Sequence, residues 1–132
     1  PPSLNIITIN ALTASDYAVI PAQADIFSLQ GITQLGQTIE AVKRYTNKDL
    51  KVLGIVLTKH NTRSILSRDL QQVITDTAIQ LHTKVYTQHI REAVAVREAQ
   101  AMKQDVFSYD PKSNATQDYD ALMKEIWKDI NQ

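Results

Sequence analysis

A chain of 132 residues has the length of one compact domain and is hardly long enough for two. Hydrophobic residues at 43%, charged residues at 21% and three glycines exclude a disordered or fibrous chain. Fourteen basic residues balance 14 acidic ones, so affinity for nucleic acid has to come from a local patch rather than the overall field. The absence of cysteine excludes disulfide frameworks, cysteine nucleophiles and thiolate metal sites, and fits a reducing, cytoplasmic setting. No stretch approaches the ~20 apolar residues of a membrane span, and the first residues lack the basic start and apolar run of a signal peptide.

In chain order, the opening PPSLNIITINALTASD is ambiguous. The β-branched cluster Ile6, Ile7, Thr8 and Ile9 favours a strand. Leu4, Ile7, Ala11 and Leu12 keep helical spacing, and Pro1 and Pro2 are tolerated just ahead of a helix. YAVIPA, from Tyr17 to Ala22, predicts a strand ending at Pro21. Leu29, Ile32, Leu35, Ile39 and Val42 recur at spacings of three or four and predict a helix from about Ser28 to Tyr45. The apolar run from Val52 to Leu57, broken by Gly54, predicts a strand buried on both faces. Leu70, Val73, Ile74, Thr77, Ala78 and Leu81 predict a second long helix, with Ser67 as a plausible N-cap. KVYT, Lys84 to Thr87, reads as a third strand and DVFSY, Asp105 to Tyr109, as a short fourth. Behind a DPKSN turn, with Asn114 as its cap, Tyr119, Leu122, Met123, Ile126, Trp127 and Ile130 give the cleanest helical pattern. Apolar runs alternating with helical segments indicate an α/β fold, a mainly parallel sheet flanked by helices. No internal repeat or linker marks a boundary, so residues 1–132 are expected to form a single domain.

Several motifs agree in order and spacing with one family. PPSLNIITINALTASDYAVIPAQADIFSLQGITQL resembles the segment D-x-PPSLG…TINAL…AD…VIPVQ…ALEGL of ParA/Soj-type partition ATPases, the deviant Walker-motif enzymes that segregate plasmids and chromosomes. VLTKHNTRSILSRDL is similar to the family's VLTMYDARTNLSRQV, IREAVAVREAQA takes the place of IPRNVRLSEAPS, and FSYDPKSNATQDY resembles YDPRSxGAxAY. The resemblance implies a helix for the ambiguous opening. It also implies the C-terminal portion of a P-loop NTPase-like, doubly wound sheet.

On the same resemblance the chain starts just after the second catalytic aspartate. The glycine-rich loop whose amides cradle phosphates belongs to the missing N-terminal half, because Gly31, Gly36 and Gly54 are isolated and no G-x-x-x-x-G-K sequence occurs. No catalytic residue is therefore expected within this segment, and alone it is expected neither to hydrolyse ATP nor to bind it well. Pro1, Pro2 and Ser3 are expected to begin the switch segment that senses the γ-phosphate. Thr58 and Lys59, with His60, end the long buried strand, at the sheet edge where doubly wound folds place ligands, and the resemblance puts that edge near the nucleotide base. Arg91 and Glu92 take the position of the family's Pro-Arg pair near the adenine, with neither residue type retained. The full-length protein is expected to use ATP and Mg²⁺, form a homodimer, bind DNA without sequence preference and respond to a ParB-like centremere-binding partner on the nucleoid. For DNA, Arg63 and Arg68 match the arginines of A-R-T-N-L-S-R. Ala95 replaces the basic residue of N-V-R-L, so Arg91, Arg97 and Lys103 near it are the candidate substitute cations, with Arg97 and Lys103 the ones expected on DNA.

His60, His82 and His89 lack ligand spacing, so no metal site is expected. Ser67 and Ser113 suit helix caps better than nucleophiles. Two other readings are a MinD-like septum-positioning ATPase and a stand-alone DNA- or protein-binding module. The final helix carries Asp118, Asp120, Glu125 and Asp129 on its polar side, which suits packing on the protein better than binding an anionic membrane, so no membrane partner is expected.

Overall fold

A computed structural model describes residues 6–59 and 65–132. The elements are α1 (Ile6–Ala14), β1 (Tyr17–Ala22), α2 (Ile26–Tyr45), β2 (Lys51–Leu57), α3 (Ile65–Gln80), α4 (Val94–Ala101), α5 (Val106–Tyr109) and α6 (Asn114–Ile130). The opening is helical despite its β-branched run. α1 is tied at its end by Asn47, whose side-chain amide donates to the carbonyls of Leu12 at 3.1 Å and Ser15 at 2.7 Å. α2 starts two residues before the expected Ser28, because Asp25 caps it by accepting from the Ser28 amide at 2.7 Å.

β1 and β2 pair in parallel, with Ile20 opposite Ile55 and Ala22 opposite Leu57. The register slips by one residue between Ala18, opposite Val52, and Val19, opposite Gly54, leaving Leu53 unopposed. Side chains alternate along a strand, so this bulge reverses which face each later residue of β2 addresses. Val52 packs with Ile55 and Leu57 into an aliphatic cluster under α2 and α3, built from Ile20, Ile32, Ile39, Val42, Ile74 and Ala78. Leu53 and Val56 pack instead with Tyr86, Ile90 and Leu122. β2 is thus covered on both faces, as its apolar run predicts.

The expected third strand at Lys84–Thr87 is reduced to one isolated bridge, Val85 to Ile55, and a second isolated bridge follows beyond it, Ile90 to Thr58. The bridges are three steps apart along β2 and the residue after it, Ile55 to Thr58, and five apart on their neighbour, Val85 to Ile90, so the ladder cannot stay in register. DVFSY is a correction: it is not a strand but the single-turn helix α5, because the Asp105 carboxylate accepts from the Ser108 amide at 2.9 Å and caps it.

Ser67 lies inside α3, which is already helical at Ile65, and the cap of α6 is Ser113 rather than Asn114. The Ser113 hydroxyl accepts from the Thr116 amide at 3.1 Å, and the Thr116 hydroxyl reaches the Asp110 carbonyl at 2.6 Å, closing the YDPKSNAT turn. On α6, Leu122 is buried and Tyr119 and Ile126 half-buried, whereas Trp127 is 68% exposed. The six-residue apolar pattern is wider than the surface available to cover it, and Met123 and Trp127 fall on its outer side.

α3 and α4 both stop with a residue in the left-handed region. After α3, His82 (φ 59°) donates to Ile79 and Thr83 to Ala78. After α4, Lys103 (φ 54°) donates to Gln100 and Gln104 to Ala99. Both are Schellman endings, which satisfy the last carbonyls but place a Cβ where glycine is preferred.

Candidate functional site

Thr58 follows the last residue of β2, at the C-terminal edge of the parallel pair, where open α/β sheets bind ligands. Its backbone is fixed from two sides: the Thr58 amide donates to the Ala22 carbonyl at 2.8 Å, and the residue is bridged to Ile90. Lys59 then turns with φ 50°, a left-handed conformation costing a side-chain-bearing residue about 1–2 kcal/mol.

Above this edge lies a cleft of about 350 Å³ lined by Thr58, Lys59, Ile90, Arg91, Glu92 and Ala93. Val96, Arg97 and Gln100 of α4 and Tyr119 of α6 complete it. The three residues expected at the nucleotide, Thr58, Lys59 and Arg91, are therefore neighbours around one cavity. Arg97, expected on DNA, lines the same cavity, 3.8 Å from Glu92 in an exposed and therefore weak ion pair. Arg68 on α3 and Lys103 beyond α4 do not line it. Pro1, Pro2, Ser3, His60 and Arg63 lie outside the described residues.

Arg91 is fixed at the cleft by three hydrogen bonds to Asp118, a partner that the sequence reading does not single out. Asp118 of α6 accepts four hydrogen bonds. They come from the Arg91 amide at 2.9 Å, Arg91 Nε at 3.0 Å, Arg91 Nη2 at 2.9 Å and Gln88 Nε2 at 3.2 Å. Its side chain is 5% exposed and that of Arg91 49%, so the pair straddles the protein boundary. Burial pushes the Asp118 carboxyl up, but the hydrogen bonds and charge of Arg91 outweigh it and hold the group below the usual carboxylate range. The same contacts raise Arg91. Burial pushes the neighbouring His89 imidazole down, against the opposing pull of Asp118.

In the motifs Asp118 shows only as a departure, with nothing to tie it to Arg91. It stands where YDPRSxGAxAY has its second alanine, and Arg91 stands where IPRNVRLSEAPS has its proline. The two departures meet as one bidentate pair across 27 residues of sequence.

A second polar tie sits at the other end of α6. Asp129 accepts from Lys84 at 2.7 Å and from the Tyr86 hydroxyl at 2.7 Å. Lys84 and Tyr86 hold the Asp129 carboxyl below its usual range, while burial and Asp129 push the Tyr86 phenol well up. Among the described residues, no cluster of His, Cys, Asp or Glu could hold a metal, and no helix is long and apolar enough to cross a membrane.

Residues 1–52 match the AAA domain family. Over 126 residues the chain is 40% identical to the chromosome partitioning protein ParA of Caulobacter vibrioides NA1000, covering 96% of this chain and 46% of that protein. It is 39% identical to the sporulation initiation inhibitor protein Soj of Bacillus subtilis 168, covering 96% of this chain and 49% of that one. The chain thus spans about half the length of the curated relatives it matches.

Among solved structures it is similar to cobyrinic acid a,c-diamide synthase of Mycobacterium smegmatis, with 30% identity and a TM-score of 0.59 over 87% of this chain and 47% of that one. The form of that enzyme with bound ADP and magnesium matches 58% of this chain and 31% of that one at 38% identity and a TM-score of 0.52. The described fold is accordingly part of a P-loop NTPase-like α/β fold, two parallel strands flanked by helices. By sequence, along 96% of its own length, this chain is a homologue of the ParA/Soj chromosome-partitioning proteins.

Proposed function

We propose that this chain is the C-terminal, base-contacting part of a partition ATPase that acts in full length, with Mg²⁺, as an ATP-dependent DNA-binding homodimer. The observation that carries the reading is the cleft at the end of β2, where Thr58, Lys59 and Arg91 line one cavity at the ligand-binding edge of a parallel sheet. Its volume of about 350 Å³ falls in the range of small-molecule sites. The ADP and magnesium bound by the similar synthase support a nucleotide as its ligand.

Within this reading the cleft residues form the base subsite. Thr58 supplies a hydroxyl and a fixed backbone at its floor, Lys59 a cation on a turned backbone, and Arg91 a guanidinium at its wall. Pro1, Pro2 and Ser3 form the switch segment, and the phosphate-binding glycine loop comes from the other half of the fold. Arg63, Arg68, Arg97 and Lys103 are the DNA-contacting cations, and a ParB-like protein is the expected partner on the nucleoid.

The full-length protein titrated with Mg-ATP tests this. Binding of ATP, with Lys59→Ala weakening it by about ten- to a hundredfold, is the expected result, since removing one charge-assisted contact changes affinity on that scale. Undiminished binding by Lys59→Ala together with Thr58→Ala would remove the cleft from the nucleotide site. The DNA assignment is read separately: Arg68→Ala should lower both affinity for non-specific duplex and its salt dependence, and an unchanged salt slope would eliminate that residue.

A further inference from the structure

We infer that Asp118 is a positioning residue for the base subsite: it grips the edge of the Arg91 guanidinium so that the flat face of Arg91 stacks on a nucleobase. The inference rests on reading the cleft as a nucleotide site and adds to it a residue from another helix and a mode of recognition. Arg91 and Asp118 stand at the two motif positions that the family fills with proline and alanine, and in this fold those two positions adjoin.

The geometry is specific about what Arg91 can still do. Nε and Nη2 are both committed to Asp118, and the Arg91 amide is committed to the same carboxylate, so the hydrogen-bonding edge on that side is used and the backbone is pinned. The side chain nevertheless remains 49% exposed and lines the cleft. A planar cation held by its edge offers its face, and a guanidinium face stacks on aromatic rings. Gln88 Nε2 donates to Asp118 Oδ1, the oxygen that also accepts from Arg91 Nη2, so Asp118 itself is anchored from outside the pair. Thr58, Glu92 and Gln100 around the same cavity offer hydroxyl, carboxylate and amide groups to the polar edge of a base.

A stacking role separates the base from the phosphates, and the test uses that separation. Full-length protein is titrated with Mg-ATP and with magnesium inorganic triphosphate, for the wild type and for Arg91→Ala, Arg91→Lys, Asp118→Asn and the double variant Arg91→Ala/Asp118→Asn, with thermal melting run alongside. Arg91→Ala should weaken ATP by about tenfold and leave inorganic triphosphate unchanged, because only the stacked ring is lost. Asp118→Asn should weaken ATP almost as much, and the double variant no more than Arg91→Ala alone. Arg91→Lys keeps the charge but not the plane and should behave like Arg91→Ala.

Unchanged ATP affinity in Asp118→Asn and Arg91→Lys, whatever their melting temperatures, would overturn the inference and leave the pair a structural tie. Equal losses for ATP and inorganic triphosphate would overturn it as well. Wild-type protein that binds inorganic triphosphate but gains nothing from the base would overturn both the inference and the reading of the cleft beneath it.

Discussion

The two faces of β2 are packed by different chemistry. One face meets Ile20, Ile32, Ile39, Val42, Ile74 and Ala78, an aliphatic cluster whose side chains are held by exclusion of water. The other meets Tyr86, Ile90 and Leu122, and the elements around it are tied by the Tyr86–Asp129 and Arg91–Asp118 contacts. Non-directional packing tolerates rearrangement, whereas hydrogen-bonded pairs hold atoms at defined positions. The candidate cleft lies on the side where positions are defined, and α6 supplies the anchors at both of its ends. The bulge at Leu53 is what sets this division, since it decides which of Ile55, Val56 and Leu57 faces which cluster.

The largest expected effect breaks the aliphatic side. Leu57 is fully buried, and Leu57→Ala should cost about 2–5 kcal/mol in urea denaturation, through lost transfer energy and an unfilled cavity. That loss should be the same at pH 7 and pH 5, because no titrating group takes part.

Next is Gly54→Ala. A methyl there would sit 2.6 Å from Tyr86 Cε2 and 3.2 Å from the Lys84 carbonyl oxygen. Tyr86 is 2% exposed and bonded to Asp129, so it has nowhere to go, and overpacking of about 1–3 kcal/mol should result. Gly36 on the aliphatic side sharpens the contrast. Its new methyl would meet only the tip of Leu81, at 2.6 Å, which can rotate away. Gly36→Ala should therefore fall well short of Gly54→Ala in the same assay, helped further by alanine's helix propensity.

Acid should act on the polar side selectively. Asp118 and Asp129 are both held below the usual carboxylate range when folded, so the stability they provide is complete above about pH 4. It is lost as the pH falls through their folded values, because the unfolded chain takes up those protons first. Asp118→Asn should flatten the dependence of stability on pH below about 4 while leaving the Leu57→Ala difference intact; an unchanged acid limb would place the sensitivity elsewhere. The smallest effect is Gly31→Ala, in α2 with open space around it, which should stabilise by about 0.5–1 kcal/mol through helix propensity.

Much of this architecture is legible in the sequence because period and composition agree there. Val52 to Leu57 is apolar without alternation and is buried on both faces, and the stripe from Leu29 to Val42 lies on α2. Where local and long-range terms disagree, the residues mislead. Val106, Phe107 and Tyr109 favour a strand by propensity, but Asp105 offers a cap that propensity does not weigh. Lys84–Thr87 has strand composition, but its pairing depends on how many residues separate Val85 and Ile90, which no local rule constrains. Thr58 and Lys59 end the apolar run of β2 and so fall at a sheet edge, the resemblance implies that Arg91 lies near it, and the three line one cavity. Asp118 is hidden by its own context: in sequence it reads as one of several acidic residues on a polar helix face, whereas in the fold it is buried on α6 and paired with Arg91.

Trp127, largely uncovered on α6, is the one tryptophan in the sequence. Its emission therefore reports from a single known place, on the same helix as both carboxylate anchors. A ligand or neighbour that covers Trp127 should shift the emission to the blue, whereas an event confined to the aliphatic face should leave the emission unchanged. The molecule carries its own label for telling its two sides apart.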